Sequence, residues 1–459
     1  MDISRLTQFH EDPAVIAWWR KRTSRALTWF TPFRRRAVLA AGAIYVGVAR
    51  PLREMAKVND LPVPADWIGL TLLVIAMFAI LWLCYRATVN FKALPLIVRH
   101  HPQLTLHLMY WGILVVLWLT APTAGRWREV VLGVALIFPF LLWRCGYMLM
   151  SGQNGRAAGT SFAHQLVVIW PVFGGSNTPY GKGLEYLSKF EAKTEEELAQ
   201  SQLAGIKLLI LSGLWNLGLA LMEGVLYGPG NAITQALGGH TIGIPKLGSL
   251  VTQGGEAPFY ASWASIYCEL VWQVLKRAYI GHQIIAVLRL FGFNVLRNTY
   301  KPLLAESVQE FWNRYYYYFK ELLVSFFFMP VFMQLGGPLR RWPRLRLFAA
   351  VFAAAGLGNT YYHLLEERAW LVVMGNVFNH LYSLGSPFFY SVLLAMGIYV
   401  SMLRKQRRGA KTLSSNPAAR IARIFGVWTF FSLIFIWDVR SDAPFLTRVD
   451  FFLSLFGLA

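Results

Sequence analysis

The residues most able to do chemistry lie inside apolar stretches of the chain. An ionisable group held in hydrocarbon costs several kcal/mol, so such residues are candidates for function. Imidazole is the most versatile of these groups, because it gains and loses a proton near neutral pH. The candidates are His107, Asn216, Glu223, Glu269, His282, His363, Glu366 and His380.

Two segments are denser in such groups than the rest. The first begins at Phe311-Trp312-Asn313 and continues through four tyrosines to Lys320 and Glu321. On a continuous helix, Asn313, Tyr316, Tyr317 and Lys320 share one face. The plainer interpretation is an amphipathic helix in the membrane interface with a tyrosine belt.

The second segment is Gly356-Leu-Gly-Asn359-Thr-Tyr-Tyr-His363. Asn359 and His363 are four residues apart and therefore lie on one face of a helix. The small residues at 353–355 allow close packing against a neighbouring helix. The plainer interpretation is a histidine that forms a hydrogen bond between helices.

Membrane helices must position these groups. Hydrophobic residues make up 56% of the 459 residues and charged residues only 15%, whereas soluble domains carry about 25% charged residues. Apolar stretches long enough to span a bilayer predict an all-α, polytopic bundle of roughly ten to twelve membrane helices, some partial or re-entrant. They include residues 67–85, 104–121, 130–150, 208–227, 258–275, 278–298, 322–336, 347–365, 369–384, 387–403 and 421–437, with shorter stretches at 37–49 and 162–173.

The basic residues predict an orientation in the membrane. The net charge of +21 resides in short loops beside apolar runs, a pattern typical of cytosolic loops and not of nucleic-acid binding. Residues 340–346 and 404–423 form two such loops, and the Gly-rich residues 228–255 are predicted to lie outside the cytosol. We expect residues 1–36 to form a basic, interfacial amphipathic segment and residues 37–459 to form a single membrane-embedded domain.

Several other site types are disfavoured. Cys84, Cys145 and Cys268 lack the spacing of a zinc site or a disulfide framework, so no metal site is expected. The glycines at 174–183 have the wrong spacing for a phosphate-binding loop. Thr194 and Glu197 have the spacing of a capping box, which predicts that a helix starts near residue 195.

The two polar segments together resemble the membrane-bound O-acyltransferase (MBOAT) superfamily. Phe311 to Tyr316 is similar to the Phe-Trp-x-x-Trp-His segment of bacterial members, and Pro330 stands where that segment's closing proline belongs. Gly356-Leu357 followed by His363 looks like the family's second, histidine-bearing helix. Tyr316 replaces the first histidine, and His363 lies one turn beyond the usual position, which Asn359 occupies. The resemblance covers residues 295–459.

The resemblance implies transfer of an acyl group from a thioester, acyl-CoA or acyl carrier protein, to a hydroxyl on a polysaccharide, a lipid-linked molecule or a small metabolite. His363 would be the general base, while Asn359, Asn313 or Tyr316 would orient the acceptor or donate to the oxyanion. No bound cofactor is expected. The implied partners are membrane lipid, the donor and the acceptor, and the implied location is the bacterial cytoplasmic (inner) membrane.

The sequence leaves other functions open. A transporter or flippase is one, although paired broken helices in two repeated halves are not visible. A lipid-linked glycosyltransferase is another, although no Asp-x-Asp motif occurs. A catalytically inactive member of the family that serves as a scaffold is the third.

Overall fold

The regular structure of the protein is helical wherever it is described. The computed structural model describes residues 8–42, 66–120, 125–155, 162, 185–228, 232–236, 238–254, 257–366, 384–409 and 416–458. The α-helices are α1 (Pro13–Trp29), α2 (Trp67–Val89), α3 (Leu96–His100), α4 (Pro102–Thr120), α5 (Arg126–Gln153), α6 (Glu185–Phe190), α7 (Glu195–Leu221), α8 (Ala232–Ala236), α9 (Leu247–Thr252), α10 (Phe259–Leu290), α11 (Val308–Tyr315), α12 (Tyr317–Leu323), α13 (Met329–Gln334), α14 (Pro343–Val351), α15 (Asn359–Glu366), α16 (Gly385–Arg408), α17 (Pro417–Ile434) and α18 (Phe445–Ser454).

Four of the described helices are long and apolar enough to cross a membrane. They are Trp67–Val89, Glu195–Tyr227, Gly385–Arg408 and Pro417–Trp437, and Pro102–Val116 is a shorter apolar helix. These correspond to the spans predicted at 67–85, 208–227, 387–403, 421–437 and 104–121. The stretches at 258–275, 322–336 and 347–365 are largely helical but are not among these four helices, and the last two are each divided by a π-helical turn. Those at 43–49, 163–173 and 369–383 lie outside the described residues.

The chain divides into two units, the first of which comprises residues 1–210, 283–296 and 367–376. Within it α2 packs along α5. One stripe of α2, residues 73, 77, 81 and 84, faces Leu141, Cys145 and Met148 in a buried cluster. Gly133 permits this approach, because a Cβ there would lie 2.5 Å from the Leu73 side chain. The predicted helix at 130–150 is therefore confirmed as part of α5.

The basic N-terminal segment packs on the start of α7 in the same unit. Ile16 and Leu27 of α1 are buried with Leu198 and Leu203, so one apolar face of α1 is covered by protein. The predicted helix start is confirmed, since the Thr194 hydroxyl accepts a hydrogen bond from the Glu197 amide at 3.1 Å.

The second unit comprises residues 211–282, 297–366 and 377–459 and contains both polar segments. In it α14, a π-helix (Phe352–Gly358) and α15 run antiparallel to α16. The Tyr399 hydroxyl donates to the Arg344 carbonyl at 3.2 Å, and the Asn359 amide donates to the Ser391 hydroxyl at 2.9 Å. Residues 340–346, which include the first turn of α14, therefore lie at the same end of this unit as the basic end of α16.

The sequence predicts that the first polar segment forms one continuous helix, but the structure divides it into two helices. The backbone at Tyr316 leaves the helical region (φ −144°, ψ 72°) and separates α11 from α12. The Tyr317 amide donates to the Asn298 carbonyl at 2.9 Å, outside the helix. The predicted shared face of Asn313, Tyr316, Tyr317 and Lys320 is therefore wrong.

Candidate functional site

Two π-helical stretches meet beside the second polar segment. One is Phe352–Gly358, directly before α15, and the other is Val324–Phe328, directly after α12. A Cβ at Gly358 would lie 2.9 Å from the Phe327 ring, so only glycine allows the two stretches to approach this closely. π-Helical turns inside α-helices occur frequently at functional sites. The stretch Phe352–Gly358 sets the position of α15, which carries Asn359 and His363.

Asn359 ties α15 to α16. Its side chain is only 2% exposed, and its amide nitrogen donates to the Ser391 hydroxyl, which in turn donates to the Pro387 carbonyl at 2.7 Å. A buried amide with such a partner is held in one orientation. Asn359 therefore fixes the helix that carries His363.

His363 faces a carboxylate that sequence reasoning missed. Its Nε2 atom lies 3.7 Å from Oδ1 of Asp438, and the two side chains are 23% and 32% exposed. This separation is longer than a direct hydrogen bond, although catalytic contacts are often loose before substrate binds. A base whose orientation is set by a second group is the arrangement that activates a hydroxyl. The available signal was an aspartate directly after the apolar run 421–437.

Arg448 holds the loop on which Asp438 lies. It is 5% exposed and donates to four backbone carbonyls, those of Ile436 at 2.6 Å, Ser441 at 3.0 Å, Val439 at 3.1 Å and Ala443 at 3.3 Å. Burial lowers the pKa of the Arg448 guanidinium, although the nearby Asp438 carboxylate opposes that shift. One side chain thus fixes the turn between α17 and α18.

Arg277 of α10 joins the two polar segments. Its guanidinium lies 4.5 Å from the centroid of the Tyr316 ring and interacts electrostatically with Tyr315 and Tyr362. Tyr316 and Tyr362 are buried, and rings connect them: Phe319 lies 5.3 Å from Tyr316 and 4.7 Å from Tyr362. The structure thus brings Tyr316 into the surroundings of His363 through these contacts.

Two further buried tyrosines belong to these surroundings. Tyr315 and Tyr390 are both buried, and each interacts electrostatically with Asp438 and with Arg277. We refer to these residues together as the polar cluster: Arg277, Tyr315, Tyr316, His363, Tyr390 and Asp438.

The other candidates are distributed differently. Asn313 lies on the exposed face of α11, whereas Tyr315 on the same helix is buried in the polar cluster. Glu269 accepts a hydrogen bond from Gln273 at 2.7 Å and interacts with Asp438. His107 packs on Trp143 in the first unit, Glu223 pairs with Lys246, His282 contacts its own helix, Asn216 is exposed, and His380 lies outside the described residues.

The described part of the Gly-rich segment lies against the loop of Asp438. The Thr252 and Ser441 hydroxyls are 2.9 Å apart, and a Cβ at Gly248 would lie 3.0 Å from the Arg440 carbonyl. This segment, which the Gly-rich sequence predicts to be a long loop or cap, contains the short helices α8 and α9. It covers the end of the unit where α17 finishes, opposite the end where α17 begins among Arg420 and Arg423.

The polar cluster contains an imidazole, a carboxylate and a guanidinium, which are the parts of a proton-transfer site. Among the described residues, no group of three or more His, Cys, Asp or Glu side chains is placed to hold a metal ion. The chain matches no family model, and no curated protein matches it.

Proposed function

We propose that this protein is a membrane-embedded O-acyltransferase of the MBOAT type. It moves an acyl group from a thioester, acyl-CoA or acyl carrier protein, to a hydroxyl on a polysaccharide, a lipid-linked molecule or a small metabolite. Residues 295–459 form the MBOAT-like core of a bundle of ten to twelve membrane helices in the bacterial cytoplasmic membrane. The observation that carries the proposal is the contact between His363 and Asp438, within a unit that also contains helices able to span a bilayer.

The chemistry needs a base at the hydroxyl. In the proposed reaction, Nδ1 of His363, the ring nitrogen opposite the one that faces Asp438, removes the proton of the acceptor hydroxyl, and that oxygen forms a bond to the thioester carbonyl carbon. The carbonyl oxygen carries the negative charge of the tetrahedral intermediate. The carbon–sulfur bond then breaks, the carbonyl re-forms, and the sulfur takes the proton from the imidazolium to leave as a free thiol.

Asp438 supports that step through its charge. His363 becomes a cation once it has taken the proton, and a carboxylate about 4 Å away favours the charged form. Arg448 keeps the carboxylate in place by holding four carbonyls of its loop. Of the residues that the sequence suggested as oxyanion donors, Tyr316 remains a candidate, Asn359 acts as a tie between helices, and exposed Asn313 has no such role.

The positions of the basic loops support a direction of transfer. With these loops in the cytosol, the donor arrives at that end of the second unit. Thirteen residues of α16 separate Arg404 from Ser391, the partner of Asn359, which is roughly 20 Å of helix rise. His363 and Asp438 then lie toward the far face of the bilayer, and the acceptor enters beneath residues 238–254.

The test is acyl transfer by the purified protein in lipid nanodiscs. The protein is given radiolabelled acyl-CoA or acyl carrier protein of several chain lengths, together with extracts of cell-envelope glycans and lipids. Label that moves into one hydroxylated fraction, with release of one thiol per acyl group, supports the proposal. Absence of transfer with every donor and extract, from folded protein, would leave the scaffold or transport hypothesis instead.

A further inference from the structure

The charge of Arg277 is only partly compensated by the described residues. Among them, the face of the Tyr316 ring lies beside its guanidinium, and Tyr315 and Tyr362 are electrostatic neighbours. No described carboxylate forms an ion pair with it within 4.0 Å. A guanidinium has five N–H donors, and a ring face with neighbouring phenol groups satisfies only a fraction of them.

Other arginines of the same unit are partnered differently. Arg423 pairs with the Glu306 carboxylate at 2.7 Å, and Arg448 donates to four carbonyls. Removing a cation from water is costly unless an opposite charge or several hydrogen bonds replace the lost hydration. Arg277 therefore stands out as the cation of the polar cluster with unused capacity.

The geometry around Arg277 leaves that capacity accessible. Its side chain is half-buried, whereas Tyr315 and Tyr316 are buried. The guanidinium carbon lies over the Tyr316 ring, and the edge of this planar group carries N–H donors with which a two-oxygen anion forms two parallel hydrogen bonds. Tyr390, which interacts with both Arg277 and Asp438, links this position to the His363 end of the polar cluster.

We propose that Arg277 binds an anionic oxygen group, a phosphate or a carboxylate, on a substrate of the proposed transfer reaction. This inference rests on the proposed function only in calling the bound molecule a substrate. Anion binding itself can be measured without turnover. Two sources supply such a group. The donor carries a phosphate on the pantetheine arm that bears the thioester, or the acceptor carries a phosphate or carboxylate beside its hydroxyl.

The test compares matched charged and neutral probes. For the donor, 4′-phosphopantetheine is compared with pantetheine. For the acceptor, glycerol 3-phosphate and glycerate are compared with glycerol. Binding to the full-length protein in nanodiscs is measured by isothermal titration and by the ligand-induced rise in unfolding temperature, which follows from preferential binding to the folded state. In one of the two comparisons we expect the charged probe to bind at least tenfold more tightly.

Variants assign that preference to Arg277. Arg277→Gln is expected to remove the preference, and Arg277→Lys to retain part of it, because lysine keeps a point charge but not the fork of donors. Lys276→Gln is the matched control: it removes the same charge one residue earlier on α10, where Lys276 is exposed and contacts Trp272. The control should keep the preference in full.

A second measurement covers the case in which Arg277→Gln fails to fold. In the unaltered protein, modification of Arg277 by phenylglyoxal is followed by peptide mass spectrometry, and the charged probe should slow it at least threefold while the neutral probe does not. Equal binding of both probes in both comparisons, or a preference that persists in folded Arg277→Gln, overturns the inference. Loss of acyl transfer with anion preference intact contradicts only the proposed function.

Discussion

Replacing Asp438 by asparagine isolates the charge that faces His363. The change keeps the size of the side chain and removes the negative charge 3.7 Å from Nε2. Two unit charges at about this distance attract by about 1 kcal/mol in water and about 4 kcal/mol at an effective dielectric constant of about 20. Because the two side chains are 23% and 32% exposed, partial screening sets the attraction near 2 kcal/mol. If the imidazolium forms in the transition state, that energy corresponds to a rate loss of about 30-fold.

The assay for this change is the initial rate of thiol release from the preferred acyl thioester, with acceptor present, by protein in nanodiscs. Asp442→Asn is the matched control, because Asp442 is an exposed aspartate on the same loop, and it should transfer at the unaltered rate. A rate for Asp438→Asn within twofold of the unaltered protein would refute the role of the carboxylate. An equal loss in both variants would show that the loop, and not the charge at Asp438, sets the rate.

Three further outcomes are expected. Arg448→Gln should lose most of four carbonyl hydrogen bonds, each worth about 1 kcal/mol. Amide hydrogen exchange in the loop that Arg448 holds should therefore become faster, and transfer should slow at least tenfold. Unchanged exchange in this loop would contradict the prediction. Gly358→Ala should lower the unfolding free energy by about 1–3 kcal/mol through overpacking, whereas Gly213→Ala, whose added Cβ meets open space, should not; calorimetry that ranks them in reverse would disprove the close approach. In intact cells expressing cysteine-free protein, His240→Cys should react with a membrane-impermeant maleimide and Lys405→Cys should not; the opposite pattern would reverse the proposed direction of transfer.

The membrane helices could be predicted from sequence because bilayer thickness imposes a length on apolar runs. The stretch at 67–85 is confirmed as part of α2, the one at 387–403 lies inside α16, and the one at 421–437 lies inside the helical stretch Pro417–Trp437, which begins with α17. Local hydropathy depends on each segment alone, and these helices are long and apolar enough to cross a bilayer by their own composition.

The break at Tyr316 could not be predicted in this way. No glycine or proline occurs from Phe311 to Glu321, so local propensity favours one helix. The break depends on tertiary contacts, since the Tyr317 amide bonds to the Asn298 carbonyl and the Tyr300 amide to the Arg314 carbonyl. The Tyr317 amide and the Arg314 carbonyl, which form hydrogen bonds to residues 298 and 300, are therefore not available for bonds within a continuous helix.

The partner of His363 was also beyond sequence reasoning. Asp438 is far from His363 along the chain, and their approach depends on how α15 packs relative to the end of α17. The histidine and Asn359 could be singled out because their spacing follows from helix geometry alone. The same limit explains why Arg277 and Arg448 went unnoticed, as their significance comes from the hydroxyls and carbonyls that folding brings to them.

The most direct test of the account is acyl transfer by His363→Ala. Loss of a general base costs about 10²–10⁴-fold in rate, so we expect transfer to fall at least 100-fold while expression, membrane insertion and unfolding temperature remain unchanged. His240→Ala, which removes an exposed histidine of the same unit, should transfer normally. Transfer by folded His363→Ala within about threefold of the unaltered protein, far short of the loss expected for a base, would contradict the assignment of His363 as the base.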